Sequence, residues 1–239
     1  MKRVAISQSN YIPWKGYFDL IHDVDLFVFY DDVQYTVRDW RNRNIVKTPN
    51  GLLWLSVPVG EDRNRLINEV AICNRKWQAT HWRTLNQYYK KAKYFGLYKD
   101  FFEGIYLDHQ WDNLSRLNQY LIEHISREYL RIKTEFANST EFSRNGEKQV
   151  AICSLLNSTK ASSYVSGPAA KDYIEPAVFQ ENGINLVWKD YSGYPEYPQC
   201  YPPFRHDVSI LDLLFHTGPD APYYIWGWRE VSRFSERQT

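Results

Sequence analysis

The first thirty residues constrain the fold more than any other part of the chain. A short apolar run at residues 3–9 leads into a loop that contains Pro13. Residues 14–21 then carry apolar side chains at helical spacing, and a second apolar run follows at residues 25–30. Because proline disfavours helical backbone at the preceding residue, a helix is expected to begin just after Pro13. Strand, helix and strand within about thirty residues are typical of a right-handed βαβ unit with parallel strands.

Strand and helix patterns alternate toward both ends of the chain, with a helical region between them. The further strand patterns lie at residues 52–57, 67–72, 131–136, 163–166 and 186–188. The further helix patterns lie at residues 77–91, 114–125, 150–156, 169–182 and 208–216. Together they predict an α/β fold, with a mainly parallel, Rossmann-like sheet and a helical insert in the middle of the chain. We expect a single domain over residues 1–239, with a helical subdomain at about 77–128.

Charge and cysteine content argue against several classes of protein. The 29 basic and 28 acidic residues nearly balance, whereas binding to nucleic acid or to a membrane surface favours a basic excess. The three cysteines lie far apart and without CxxC spacing, so neither a disulfide framework nor a metal site is expected. The sequence shows no signal-peptide pattern and no apolar run of membrane length. We therefore expect a cytoplasmic protein.

Aromatic residues are unusually frequent. They make up 17% of the chain, with 9 tryptophans and 19 tyrosines. Tryptophan and tyrosine offer flat apolar faces with a polar handle, and such faces stack on sugars and nucleobases. The same composition also suits a tyrosine-rich core, so it favours a ring-shaped ligand without requiring one.

Polar residues follow the first two predicted strands, and ligands of open α/β sheets bind at the carboxyl ends of strands. The loop after the first strand carries a glycine near a helix start, where free N–H groups attract anions. Its candidates for substrate contact are Gln8, Asn10, Tyr11 and Gly16. The candidates at the end of the second strand are Asp31, Asp32, Gln34 and Tyr35. Because neighbouring strand residues point to opposite faces, only one of the two acids is expected to face a given site.

Two further segments carry side chains that suit phosphate or close ligand approach. Arginine forks match phosphate oxygens in two-point contacts, so the segment around Trp40 is a candidate diphosphate site. Its candidates are Arg41, Asn42 and Arg43. The segment after the strand pattern at 163–166 combines small residues, which leave room for a ligand, with a positive charge. Its candidates are Ser166, Gly167, Lys171 and Tyr173.

Four side chains are candidate catalytic groups. Asp32 and Asp31 lie at a strand end, where an acid is well placed for general base chemistry. His81 lies four residues after Trp77 on a predicted helix, although a single histidine on an aromatic face is more often a packed core residue. Asp212 lies within an apolar helix and requires a partner there. No HExxH, GxSxG or cysteine-nucleophile pattern occurs, so the sequence does not support a covalent acyl-enzyme.

Six segments of the chain, in their order, resemble the WbqC-like protein family. They are residues 8–18 (QSNYIPWKGYF), 31–35 (DDVQY), 41–44 (RNRN), 54–58 (WLSVP), 164–173 (YVSGPAAKDY) and 209–218 (SILDLLFHTG). The segments span nearly the whole chain, and their order and spacing are more specific than any single motif. The resemblance implies a role in O-antigen or other polysaccharide biosynthesis, as a glycine transferase that modifies amino sugars. It also implies a site lined by Gln8, Tyr11, Asp32, Gln34, Asn42, Arg43, Gly167, Lys171 and Asp212.

We therefore expect a transferase that adds a glycyl or other small acyl group to the amine of a nucleotide-linked amino sugar. The expected partners are a dTDP-sugar and an acyl or aminoacyl carrier, and an acyl thioester is favoured over ATP as the donor. A fainter resemblance to nucleotidylyltransferase-like folds of the HIGH superfamily suggests an ATP-dependent ligase as an alternative. Residues 13–17 stand where that superfamily places its histidines, which weighs against the ligase. A non-catalytic nucleotide-sugar-binding protein is a further alternative, and the sequence leaves the oligomeric state open.

The hypothesis makes one geometric prediction. Polar loops at the tips of the parallel strands should converge on a single pocket that is large enough for a sugar nucleotide. Gln8, Asp32, Arg43 and Lys171 should then lie around the same cavity.

Overall fold

The structure, a computed structural model, describes residues 1–229. Its strands, in chain order, are β1 (Arg3–Ser7), β2 (Leu26–Phe29), β3 (Arg43–Thr48), β4 (Gly51–Ser56), β5 (Glu135–Asn138), β6 (Ser163–Ser166) and β7 (Asn185–Trp188). Five of these strands form a parallel sheet in the order β5-β2-β1-β6-β7, and β3 pairs with β4 in an antiparallel hairpin.

The winding of the parallel sheet reverses beside β1. The chain moves outward from β1 to β2 and β5, and then returns to the other side of β1 to add β6 and β7. Val4 of β1 pairs with Leu26 on one side and with Tyr164 on the other, both in parallel register. This arrangement is that of a Rossmann-like sheet and confirms the predicted α/β class.

Seven α-helices accompany these strands within residues 1–229. They are α1 (Lys15–His22), α2 (Lys76–Tyr89), α3 (Phe95–Glu103), α4 (Leu114–His124), α5 (Lys148–Ser158), α6 (Pro176–Glu181) and α7 (Ile210–Thr217). The expected βαβ unit is confirmed as β1, α1 and β2, and the expected helical insert is formed by α2, α3 and α4. None of the helices in the described residues is long and apolar enough to cross a membrane.

One hydrophobic core joins the helical insert to α7. The ring of Phe215 packs edge-on against Phe95 and Phe102 of α3, at centroid distances of 5.0 and 5.8 Å. The amide of Tyr94 donates to the carbonyl of Phe215 (2.9 Å). These buried contacts fix α7 against the insert, and α7 in turn fixes the loop before it, which lines the candidate site.

Two local predictions are wrong, and one strand was missed. Strand β3 was not expected, because its sequence, RNIVKT, does not alternate polar and apolar residues and begins inside the arginine-rich segment. The strand predicted at 67–72 is instead a 3-10 turn at Ile67–Glu69, where the Glu69 carboxylate accepts from the amide of Leu66 (2.9 Å) and satisfies the backbone locally. The helix predicted at 169–182 is divided into a 3-10 turn at Pro168–Asp172 and helix α6, which begins at Pro176 because proline suits the first turn of a helix.

Candidate functional site

A cavity of about 230 Å³ lies where three separate segments of the chain meet; we call it the Trp14 cavity. The segments are the β1–α1 loop, the segment that enters β3 and the loop before α7. The residues that line the cavity are Asn10, Pro13, Trp14, Trp40, Asn44 and Asp207. The first two segments are the ones that the sequence analysis assigned to substrate binding.

Hydrogen bonds hold the three segments together around the cavity. The amide of Tyr11 donates to the carbonyl of Trp40 (3.0 Å), and the buried side-chain amide of Asn44 donates to the carbonyl of Tyr11 (3.1 Å). The amide of Ile210 donates to the carbonyl of Pro13 (2.9 Å). The walls are therefore fixed by the backbone before any ligand binds.

Gly16 allows the indole of Trp14 to fold back over helix α1. A Cβ atom at this position would lie 2.2 Å from the Trp14 ring, so any other residue would displace the indole. Trp14 also packs edge-on against Tyr191 at 5.2 Å. The sequence suggested that Gly16 admits a ligand to the backbone, whereas in the structure that space holds the ring of Trp14.

The groups around the Trp14 cavity suit a polar ring that carries an amine. Indole faces provide flat apolar surfaces for the ring. The Oδ1 atom of Asn10 is buried and accepts no hydrogen bond within residues 1–229. The guanidinium of Arg205 donates to the carboxylate of Asp207 (2.7 Å), and this bond lowers the pKa of Asp207. The cavity thus has indole rings and a carboxylate in its walls; the carboxylate stays charged at neutral pH and is paired with Arg205.

Directly beside Trp14, Lys15 places its ammonium in a cage of aromatic rings. The Nζ atom lies 4.8, 5.5 and 6.0 Å from the ring centroids of Tyr194, Tyr197 and Phe204. Lys15 is only 2% exposed, and its Nζ atom has no hydrogen-bond partner in the described part of the chain. Burial lowers the pKa of Lys15 to about 8, although neighbouring carboxylates act in the opposite direction.

A second and more open cleft, of about 680 Å³, borders the same arginine-rich segment; we call it the arginine cleft. Three of the residues that line it are Arg38, Arg43 and Arg63. The guanidinium of Arg43 lies 4.3 Å from the ring of Trp54, and Trp54 packs against Trp40 at 5.3 Å. Because Trp40 lines the Trp14 cavity, the stack of these two indoles and Arg43 connects the two sites.

Besides Arg43, three predicted substrate contacts belong to the arginine cleft or its wall. Tyr35 and Asn42 line the cleft directly, and Gln34 donates to the carbonyl of Arg63. The side chain of Asn42 donates to the carbonyl of Val57 (2.9 Å), which joins the loop to the residue after β4. Within residues 1–229 the buried hydroxyl of Tyr35 has no hydrogen-bond partner.

Two residues expected at the strand tips have partners of their own. Gln8 accepts a hydrogen bond from Arg41, whose guanidinium also pairs with Asp39 (3.0 Å). Asp32 pairs with Arg144 (2.9 Å) and accepts from the hydroxyl of a serine that follows β5. Neither Gln8 nor Asp32 lines the Trp14 cavity or the arginine cleft.

The four candidates after β6 lie apart from both cavities. The ammonium of Lys171 lies 5.6 Å from the ring of Trp188, at the end of β7. Ser166 is buried, Gly167 is half-buried and Tyr173 is exposed. The structure therefore does not bring Gln8, Asp32, Arg43 and Lys171 around one of these cavities, and the segments that do converge meet at the Trp14 cavity instead.

Asp31 lies beside Asp32 but is a buried acceptor. One carboxylate oxygen accepts from the amide of Ser9 (2.8 Å). The other accepts from the hydroxyl of Ser115 and from the side chain of Gln119 (3.0 Å). The carboxylate thus ties the first loop to α4, and both of its oxygens already have donors.

His81 lies in the core of the helical insert. The hydroxyl of Tyr11 lies 2.9 Å from Nδ1 of His81 and 2.6 Å from the hydroxyl of Tyr106. Trp77 packs edge-on against the imidazole at 5.0 Å. Burial lowers the pKa of His81 to about 4, so the ring is neutral near pH 7. In the structure Tyr11 and His81 form part of a buried polar cluster.

Asp212 lies at the centre of a second buried cluster, which we call the Asp212 network. Its carboxylate accepts from the hydroxyls of Tyr89 (2.8 Å) and Tyr197 (2.7 Å) and from the side chain of Gln199 (2.7 Å). The Nδ1 atom of His216 lies 2.7 Å from the carbonyl of Asp212. The partner that the sequence analysis required for the Asp212 carboxylate is therefore supplied by side chains from two regions of the chain.

Asp207, which lines the Trp14 cavity, and Lys15, the residue after Trp14, were not among the predicted site residues. Lys15 falls inside the quoted motif at 8–18, but the sequence gives no sign that its ammonium is buried. Asp207 lies in an irregular proline- and tyrosine-rich stretch, and its position depends on the contacts of α7 with the insert. The one sequence feature that could have pointed to Lys15 is its position directly after a proline–tryptophan pair at a helix start.

The fold and these cavities define an α/β protein with a preformed polar site near the reversal of the sheet. The sequence model of the WbqC-like protein family matches residues 8–224, and the chain belongs to this family. It is similar to Rv1507c, an uncharacterized protein of Mycobacterium tuberculosis (strain ATCC 25618 / H37Rv). The two are 47% identical over 228 residues, which cover 94% of this chain and 98% of the relative. No solved structure matches the chain.

Proposed function

We propose that the chain is a transferase that adds a glycyl or other small acyl group to the amine of a nucleotide-linked amino sugar. The Trp14 cavity is the observation that carries this proposal. Its two indoles suit the faces of a sugar ring, and the carboxylate of Asp207 suits an ammonium group. Family membership supports a place in bacterial O-antigen or other surface-polysaccharide biosynthesis, in the cytoplasm, where a dTDP-sugar would be the substrate.

The arginine cleft supplies the complement for the nucleotide diphosphate. Arg38, Arg43 and Arg63 line it together with one carboxylate, Glu61, and guanidinium groups bind phosphate oxygens in two-point contacts. The indoles of Trp40 and Trp54 lie between this cleft and the Trp14 cavity. A sugar nucleotide is therefore held with its sugar in the cavity and its diphosphate toward the arginines.

The reaction requires little activation of the acceptor. Asp207, held charged by Arg205, orients the sugar ammonium; after the ammonium has lost a proton to water, the free amine attacks the acyl carbon of a thioester donor. The new carbon–nitrogen bond forms as the carbon–sulfur bond breaks, and the thiol leaves with a proton. Alignment of amine and thioester supplies most of the rate, since an oriented pair reacts with a large effective molarity. Asp207 thus replaces Asp32, Asp31 and His81 as the group proposed to hold the sugar amine.

The proposal is tested by incubating the protein with a dTDP-4-amino-4,6-dideoxyhexose and a series of donors. The donors are glycyl and acetyl thioesters of coenzyme A and of N-acetylcysteamine, and ATP with glycine. We expect mass spectrometry to show one acyl group added to the sugar with a thioester donor. Trp14→Ala and Asp207→Asn should each lower kcat/KM by about tenfold or more.

The matched control is Asp100→Asn, which removes an exposed carboxylate on α3 and should leave kcat/KM unchanged. No mass gain with any donor would reject the transferase. Tight sugar-nucleotide binding without a mass gain would identify a non-catalytic binding protein. Release of AMP or ADP that depends on glycine would identify an ATP-dependent ligase.

A further inference from the structure

We propose that Lys15 and His206 form a binding site for the oxygen of a small acyl group, carried either by a free carboxylate or by an acyl donor. The assignment of this oxygen to the transferred group rests on the proposed function. The binding site itself rests on the geometry of the two nitrogens.

Both nitrogens are buried and lack partners. Nζ of Lys15 and Nδ1 of His206 have no hydrogen-bond partner among residues 1–229. They lie against the same two rings. Lys15 Nζ is 4.8 Å from the centroid of Tyr194 and 6.0 Å from that of Phe204, and the His206 ring is 6.4 and 4.6 Å from the same rings. The two nitrogens thus border the same pair of rings, and in the proposed site one small ligand serves both.

The other buried lysines show that the fold otherwise pairs such groups. The ammonium of Lys47 donates to the side chain of Gln199 (2.6 Å) and to a backbone carbonyl (2.7 Å). The ammonium of Lys189 pairs with Asp19 (2.8 Å) and Asp23 (3.0 Å). A buried ammonium without an acceptor is unfavourable, so the difference at Lys15 indicates that the acceptor comes from a ligand.

The site adjoins the proposed amino-sugar site. Lys15 follows Trp14 in the chain, and His206 precedes Asp207, so each unpartnered nitrogen belongs to the chain neighbour of a residue that lines the Trp14 cavity. Trp14 and Ser209 form an isolated β-bridge, which holds the two segments side by side. An acyl group bound at the nitrogens would therefore lie beside the amine of the sugar.

The chemistry of the pair suits an oxygen that gains negative charge. A lysine with a pKa of about 8 remains mostly an ammonium at neutral pH and donates hydrogen bonds. Burial and the charge of Lys15 lower the pKa of His206, so its ring is neutral and can donate from Nδ1 in that tautomer. When the sugar amine attacks the acyl carbon, the carbonyl oxygen becomes an oxyanion, and donors placed at that oxygen stabilise the transition state.

The site can be tested without any turnover. In protein labelled with 13C-lysine, the ε-carbon signal of Lys15 is assigned by its loss in Lys15→Met and is followed against pH. The probes are acetate, which represents a free carboxylate, and the acetonyl thioether of N-acetylcysteamine, which keeps a carbonyl but cannot transfer it. We expect a saturable shift of the Lys15 signal, and with acetate a higher titration midpoint, because a bound anion favours the charged lysine.

The two probes separate the sources of the oxygen. A shift with acetate alone assigns the site to carboxylates, and a shift with the ketone assigns it to the acyl donor. His206→Phe keeps the ring and should weaken binding severalfold, whereas Lys47→Met, at a buried lysine with partners, should leave the response unchanged. Absence of a saturable shift with both probes would overturn the inference. If a probe binds but no sugar product forms, the proposed function fails while this site stands.

Discussion

Two buried polar regions both contact the side chain of Tyr197. They differ in whether the buried charged group has hydrogen-bond partners. In the Asp212 network, the hydroxyl of Tyr197 and two further donors satisfy the carboxylate at 2.7–2.8 Å. In the cage of Lys15, the ring of the same tyrosine lies 5.5 Å from an ammonium that has no hydrogen-bond partner in residues 1–229. In the Asp212 network the buried carboxylate has its donors within the chain. In the cage of Lys15 the buried ammonium has no acceptor among the described residues.

The difference separates structural from functional polar groups. A buried charge with all its partners stabilises one conformation, and the removal of one partner is costly. A buried charge without partners lowers stability and is retained where it meets a ligand. The contrast predicts opposite effects of substitution on the two sides of Tyr197.

The largest effect is expected at Asp212. Asp212→Ala leaves the hydroxyls of Tyr89 and Tyr197 without their acceptor in the core and removes one of the acceptors of Gln199. The free energy of unfolding should fall by about 4 kcal/mol. Urea denaturation followed by circular dichroism measures this free energy. Asp212→Asn keeps one acceptor oxygen, so its free energy of unfolding should fall by less. A loss below about 1 kcal/mol in the alanine variant would break the comparison.

Substitution of Lys15 is expected to raise the free energy of unfolding, whereas substitution of Asp212 lowers it. The lysine binds its proton less tightly in the folded chain, with a pKa of about 8, than in the unfolded chain, at 10.5. Its charge therefore destabilises the fold below pH 8, and this penalty disappears as the pH rises toward 10.5. Lys15→Met should raise the free energy of unfolding by about 3 kcal/mol at pH 7 and by much less at pH 10.

Urea denaturation of both proteins at the two pH values tests this prediction. Lys47→Met is the matched control, because it removes an ammonium that has partners and takes one donor from the oxygen of Gln199 and one from that of Pro203. It should not share the gain in stability. A Lys15→Met protein less stable than the parent at pH 7 would show that the ammonium is satisfied within the fold.

The sequence predicts the sheet well and the site only in part, for a physical reason. Residues 3–30 carry their strand and helix patterns locally, so the βαβ unit follows from spacing and Pro13. The arginine-rich segment and the loop at 8–18 were also recognised, because their residue types are unusual. That they meet at Trp14, and that Asp207 joins them, depends on long-range packing of α7 against the insert, which no local pattern contains.

The predicted catalytic carboxylates show that a position at a strand end does not by itself identify a catalytic acid. Asp31 and Asp32 do lie at the carboxyl end of β2, as expected. Their partners come from distant segments: Ser115 of α4 for Asp31, and Arg144, before α5, for Asp32. Those distant segments decide whether an acid is paired. The sequence next to the acid does not contain this information.

An intermediate effect is expected for ligand binding at the Trp14 cavity. Trp14→Ala removes one of the two indoles and should weaken the binding of a dTDP-amino sugar by about 2 kcal/mol, roughly thirtyfold in Kd. Trp226→Ala is a matched control, since that indole stacks on His22 at 3.9 Å and does not line the cavity. Isothermal titration calorimetry measures both. Equal affinities for the parent and Trp14→Ala would place the sugar elsewhere.

The smallest effect is expected at Asp32, which lies between the two extremes because it is paired but partly exposed. The side chains of Asp32 and Arg144 are 16% and 26% exposed, and the ion pair spans 2.9 Å. Arg144→Gln should therefore lower the free energy of unfolding by only about 1 kcal/mol, and less at high salt, because water and ions screen the pair. Urea denaturation at low and high salt measures the difference. If Asp32 only holds the turn after β2, Arg144→Gln should also leave acyl transfer unchanged. If Arg144→Gln lowers the rate of acyl transfer although the protein stays folded, Asp32 would again be a candidate catalytic group. The functional region would then extend to the strand tips.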